Sequence, residues 1–150
     1  MSSKVRYIEA PAIGAYPLNP PSDRKILRTI YKMYYNDFCA FTIDGPNNRE
    51  SKIYVPINCE RVAKKLKVDK DIVFGRLYYH LQQRHGYKKE DGTLVPFFSL
   101  GVGKDIRCVN FPLLDSVLAS LHADHAKFLW SFSFSTAAVV ISIISLCIRK

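Results

Sequence analysis

From Phe128 to Ile148 the chain runs for twenty-one positions without a charged side chain, and Arg149 and Lys150 follow. At about 1.5 Å of rise per residue, such a run coils into a helix of roughly 31 Å, close to the ~30 Å hydrocarbon core of a bilayer. A helix also satisfies its own backbone hydrogen bonds, which a lipid interior demands of any segment that crosses it. The run therefore predicts a C-terminal transmembrane anchor over residues 127–150, with Phe128, Trp130 and Ile148 along it. Everything before it would work tethered to a lipid bilayer. Trp130 suits the interfacial belt. Ser131 and Ser135 stand four apart, as do Ala138 and Ser142, a spacing that lets two spans pack closely. Ser and Thr supply six of the twenty-one residues, so an apolar helix buried in a protein core is the competing reading.

The opening residues, MSSKVRYIEAPAIG, lack the apolar centre of a secretory signal. Together with Lys127 and the basic part ahead of it, this predicts a single-pass protein whose N-terminal domain faces the cytoplasm. Cys39, Cys59, Cys108 and Cys147 are widely separated and form no CxxC pair, so their spacing supports neither a zinc site nor a disulfide framework. Reduced thiols are the simple account.

Ahead of the anchor, nineteen Lys/Arg stand against thirteen Asp/Glu, a net charge of +6. The surplus is concentrated. Between Asn58 and Lys89 there are nine basic residues and three acidic ones, so the rest of that part is neutral. Such a segment suits an anionic partner: nucleic acid, acidic lipid headgroups or an acidic protein. A solvated basic face is the plainer alternative.

The first twenty-one residues contain four of the eight prolines and show no helical period, which predicts an extended arm, with Tyr7, Ile8 and Tyr16 available to pack on the domain. A helix should follow, capped by Ser22 or Asp23, with Ile26, Ile30 and Tyr34 every four residues and Leu27, Met33, Phe38 and Phe41 widening the stripe. Asp44-Gly45-Pro46-Asn47-Asn48 is turn chemistry that ends it. Ile53-Tyr54-Val55 predicts a short strand closed by Pro56. A second helix, capped by Asn58, should bury Val62, Ala63 and Leu66. A third, capped by Asp69, should run from about Lys70 to Arg84 or His85, bury Val73, Leu77 and Leu81, and stop at Gly86. After a polar turn at 88–93 come two β-rich runs, Leu94 to Leu100 and Ile106 to Phe111, joined by a hairpin loop over 101–105. Pro112 then opens a fourth helix, burying Leu113, Leu114, Val117, Leu118 and Leu121.

This order, with Val62-Ala63-Lys64-Lys65-Leu66-Lys67-Val68, the Asp69 cap, Val73, Leu77 and the hairpin, resembles a winged helix-turn-helix domain over roughly residues 22–121. The resemblance implies an α+β domain over residues 22–126. Its three-helix core and wing would be joined by a fourth helix. One departure stands out: the turn position that the family usually gives to glycine is Lys67, whose backbone must then accept an unfavourable φ or find another turn. The resemblance further implies double-stranded DNA as partner, with the third helix in the major groove and the wing on backbone or minor groove. Burying Val73, Leu77 and Leu81 turns Gly75, Arg76, Tyr79, Gln82 and Gln83 outward. Arg76 suits guanine O6/N7, Gln82 or Gln83 an adenine edge, and Tyr79 a phosphate. Lys64, Lys65, Lys67 and Lys70 would meet phosphates near the helix start, and Lys104 and Arg107 would do so from the wing. Gly75 would admit a partner's backbone.

Enzymatic signatures are absent. His80, His85, His122 and His125 form no HExxH or HxH pattern, although His122 and His125 stand three apart on a helix and could reach one metal. No phosphate loop, nucleophile elbow or paired-carboxylate pattern appears, so neither catalysis nor a cofactor is expected. The sequence thus points to a membrane-anchored DNA-binding protein, a transcriptional regulator or DNA–membrane tether, with homodimerisation suited to paired half-sites. The alternative is a non-enzymatic membrane adaptor whose domain docks a protein or lies on anionic lipid.

Overall fold

The computed structural model describes residues 19–42, 45–124 and 127–128. The N-terminal arm up to residue 18, Asp44, His125, Trp130 and the anchor through Ile148 lie outside the described residues. Among the described residues, no helix is long and apolar enough to cross a membrane. Phe128 is described and exposed.

The domain is mixed α+β, with four helices and small antiparallel sheets among the described residues. Helix α1 (Asp23–Cys39) starts where the Ser22 side chain accepts from the Lys25 N–H, and it buries Ile26, Leu27, Ile30 and Tyr34. It ends sooner than the apolar pattern suggests, leaving Phe41 outside. The reason is Arg49. Its Nη1 donates to the Asp37 carbonyl and its Nη2 to the Phe38 carbonyl at 3.1 Å, which satisfies the orphan acceptors of the last turn. Burial holds the Arg49 guanidinium below its ordinary pKa. The Asn47 side chain then closes the following turn on both the N–H and the carbonyl of Thr42.

Strand β1 (Tyr54–Pro56) includes the proline that was expected to close it. It is an edge strand, where a residue without an N–H costs no ladder bond on the open side. Helix α2 (Cys59–Leu66) is capped by the Asn58 side chain, which accepts from the Arg61 N–H at 3.0 Å. The Asn58 N–H in turn donates to the buried Tyr34 hydroxyl at 2.8 Å, fastening the start of α2 to α1. Helix α3 is one continuous helix of three stretches, Lys70–Gly75, Arg76–Leu81 and Gln82–His85. Val73, Leu77 and Leu81 are all fully buried. In a straight α-helix, residues four apart drift about 40° per step, so the third would leave the row by about 80°. Here the Gln82 N–H reaches back five residues to the Leu77 carbonyl, and the wider π turn over Arg76–Leu81 recovers part of that drift. Gly86 ends the helix with an extended backbone (φ −68°, ψ 142°), without the left-handed turn expected of a terminal glycine. Its role is close approach, since a Cβ there would lie 2.8 Å from the Gln82 carbonyl oxygen.

The segment after α3 contains two hairpins where one was expected. Tyr87–Lys88 (β2) pairs with Leu94–Val95 (β3) across the polar turn. The second hairpin pairs Phe98–Val102 (β4) with Asp105–Asn110 (β5). Val102 opposes Asp105, so the loop shrinks to Gly103-Lys104, with Gly103 at the positive φ of 58° that such turns require. Strand β5 also pairs with β1, giving the antiparallel order β1-β5-β4. The last helix (residues 111–124) starts from Asn110, whose buried side chain accepts from the Leu113 N–H at 3.2 Å. One hydrophobic core joins the four helices and the β1-β5-β4 sheet, from Ile26 and Leu27 through Val62, Val73 and Leu77 to Val109, Phe111 and Leu114, and no residue of β2 or β3 belongs to it.

Candidate nucleic-acid interface

Helices α2 and α3 are joined by a tight turn that settles the question posed by Lys67. Lys67 adopts the left-handed conformation (φ 57°, ψ 44°). The Val68 N–H reaches the Ala63 carbonyl at 3.1 Å, and the Lys67 N–H reaches the Lys64 carbonyl at 3.3 Å. These two bonds are those of a Schellman motif, in which Lys67 holds the position normally given to glycine. Ala63 and Val68, the two residues that bracket the motif, are both buried in the hydrophobic core. Lys64, Lys65 and Lys67 on one side of the turn and Lys70, the first residue of α3, on the other are all exposed. Lys64 also meets Glu60 at 2.8 Å, a solvated i,i+4 pair that draws the Glu60 carboxyl below its ordinary pKa.

Across from this cluster, Arg107 on β5 carries its guanidinium 5.9 Å from the Phe74 ring centre and shares a cleft with Lys70, Asn58, Glu60 and Asp71. Arg107 has a positive φ of 55°, which residues with a Cβ rarely adopt. Its carbonyl accepts from the Ile57 N–H at 3.1 Å, so the strained residue also ties β5 to the segment entering α2. Lys104 stands at the hairpin tip, fully in solvent, with Glu50 3.9 Å away.

The face of α3 is more heterogeneous than its periodicity suggests. Tyr79 (69% exposed) and Gln83 lie in solvent. Gly75 is half-buried, and a Cβ there would meet only Tyr79 Cδ2 at 3.8 Å, so its open side is available to a partner. Gln82 is turned toward the sheet, where its Oε1 accepts from the Phe98 N–H at 2.8 Å and fastens α3 to β4. Arg76 donates from Nε to Asp23 Oδ1 at 2.6 Å, while His80 Nε2 lies 3.2 Å from Asp23 Oδ2. Sequence reasoning missed this Asp23 network. Arg76 and His80 stand four apart and so share one helix face, but their partner lies 53 residues before Arg76 in α1.

The free cysteines Cys59 and Cys108 are buried, and burial pushes both thiols up, Cys108 to about 11. They are therefore protonated at neutral pH and poorly suited to nucleophilic or metal-ligand roles. Among the described residues, no group of three or more His, Cys, Asp or Glu side chains converges as a metal site would. No family model, curated protein or solved structure matches this chain.

Proposed function

We propose that this chain is a DNA-binding protein built on a winged helix-turn-helix domain and carried at a membrane by its C-terminal apolar run, serving as a transcriptional regulator or DNA–membrane tether. The observation that carries the reading is the α2–turn–α3 unit with Lys64, Lys65, Lys67 and Lys70 exposed along it, beside a hairpin carrying Lys104 and Arg107. These cations suit phosphates on either side of a groove, and Arg76, Tyr79 and Gln83 on α3 would lie between them. Phosphate contacts position such a protein, and contacts to base edges give it sequence preference. The strand order β1-β5-β4 and the two-residue hairpin turn support the winged reading. The membrane part rests on residues 128–148 of the sequence.

A second reading has its own observation. Ile72 (51% exposed) and Tyr79 leave apolar surface on α3, which suits docking to a protein at the membrane. The two readings separate in one experiment. The full 150-residue chain in neutral detergent is titrated against a random duplex pool by fluorescence anisotropy across a salt series. DNA binding through these cations gives log affinity falling linearly with log salt, with a slope near −0.9 per phosphate neutralised. Six such contacts predict a slope of about −5. A folded chain that binds no duplex at about 50 mM salt refutes the DNA reading and leaves the adaptor.

A further inference from the structure

We infer that Asp23 is a positioning residue for Arg76, holding one edge of its guanidinium so that the other edge is presented to a guanine; this rests on the DNA-binding reading above. Asp23 lies in the first turn of α1, beside the Ser22 cap, and its side chain is only 17% exposed. One carboxylate oxygen accepts from Arg76 Nε at 2.6 Å, and the other faces His80 Nε2 at 3.2 Å. The carboxylate is thus anchored at both oxygens at the start of α1. Arg76 itself stays 40% exposed.

The chemistry follows from the donor count. An arginine carries five N–H donors in a planar fork, one on Nε and four on the two terminal nitrogens. Asp23 takes the Nε donor. The terminal nitrogens retain the two parallel donors that match guanine O6 and N7. A free arginine side chain carries rotamer entropy, part of which must be lost on docking. A guanidinium already held by a half-buried carboxylate has lost part of it before binding. The carboxylate also sets the plane of the fork, which a bidentate contact depends on. An ion pair serving only to fasten α1 to α3 would affect stability and leave base preference alone.

The test uses the full chain in neutral detergent, with wild type, Asp23→Ala, Asp23→Asn, Arg76→Ala and the Asp23→Ala/Arg76→Ala double variant. A preferred duplex is first selected with wild type, and each G·C pair in it is then replaced in turn. Asp23→Ala is expected to reduce discrimination at one G·C pair about tenfold, within the range a single bidentate contact supplies. Affinity for non-preferred duplexes and the salt slope should stay within about twofold. Arg76→Ala should lose discrimination at the same pair, and Asp23→Ala should add nothing on top of it. Asp23→Asn, which keeps the shape and one acceptor oxygen, should lose about threefold, and it provides the reading if Asp23→Ala does not fold. An equal loss or gain on every duplex, additive losses in the double variant, or unchanged discrimination overturns this inference alone. Wild type that binds no duplex overturns the underlying reading with it.

Discussion

Replacing Lys67 by glycine should make the protein more stable and a poorer DNA binder at the same time. Lys67 sits at φ 57°, ψ 44°, where a Cβ crowds the following carbonyl at a cost of about 1–2 kcal/mol. Glycine removes that cost but gives the unfolded chain more freedom, which offsets about 0.4–1 kcal/mol. The Lys67 side chain is exposed, and both turn bonds come from backbone, so little contact is lost. The net gain is therefore about 1 kcal/mol, worth roughly 4–8 °C in melting temperature for a domain of this size. Circular dichroism melts of the full chain read it directly. If Lys67 meets a phosphate, the same variant loses one cation from the interface, and its salt slope falls in magnitude by about 1. A Lys67→Gly protein that melts lower than wild type refutes the strain argument. Greater stability with unchanged DNA binding and salt slope removes Lys67 from the interface.

Three other outcomes follow from particular contacts. Leu77→Ala empties a fully buried site at the centre of the α3 row and should cost about 2–5 kcal/mol, measured by urea unfolding. Asn110→Ala removes the side-chain acceptor of the Leu113 N–H at a buried helix start, and a loss of about 1–2 kcal/mol is expected in the same assay. His85, beside the Phe97 ring, has its pKa lowered by burial and by the Arg84 charge. The folded state then binds fewer protons than the unfolded one below the ordinary histidine pKa of about 6.5. This contribution to stability is complete above that value and declines as pH falls toward the depressed folded pKa. His85→Gln should accordingly flatten the pH dependence of the melting temperature between about pH 7 and 5.5, and an unchanged slope would refute the assignment.

Local chemistry in the chain was enough to place most elements. Ser22, Asn58 and Asp69 mark helix starts because a short polar side chain can satisfy a free N–H within three residues of itself. The four-residue spacing of Val73, Leu77 and Leu81 marks a buried helix face for the same reason of short range. The segment after α3 was harder to read. The run from Leu94 to Leu100, apolar except for Ser99, reads as one strand, and the register of β3 with β2 and of β4 with β5 divides it at Pro96 and Phe97.

The candidate interface divides in the same way. Exposed lysines on α2 and at the start of α3 are legible from helix phase and the tight turn, because their positions depend on neighbours a few residues away. The roles of Arg76 and Gln82 are not legible in that way. Gln82 was expected to point outward, yet the backbone of β4 holds it, and Arg76, which stays partly exposed, has in Asp23 a partner that helix phase does not show. Arg49 is similar, since it caps a helix that ended ten residues earlier. Amphipathic period, caps and turns are properties of adjacent residues, and the order of amino acids by itself determined them. Which polar side chain meets which distant partner depends on how the helices and sheet pack, and only the tertiary structure decided that.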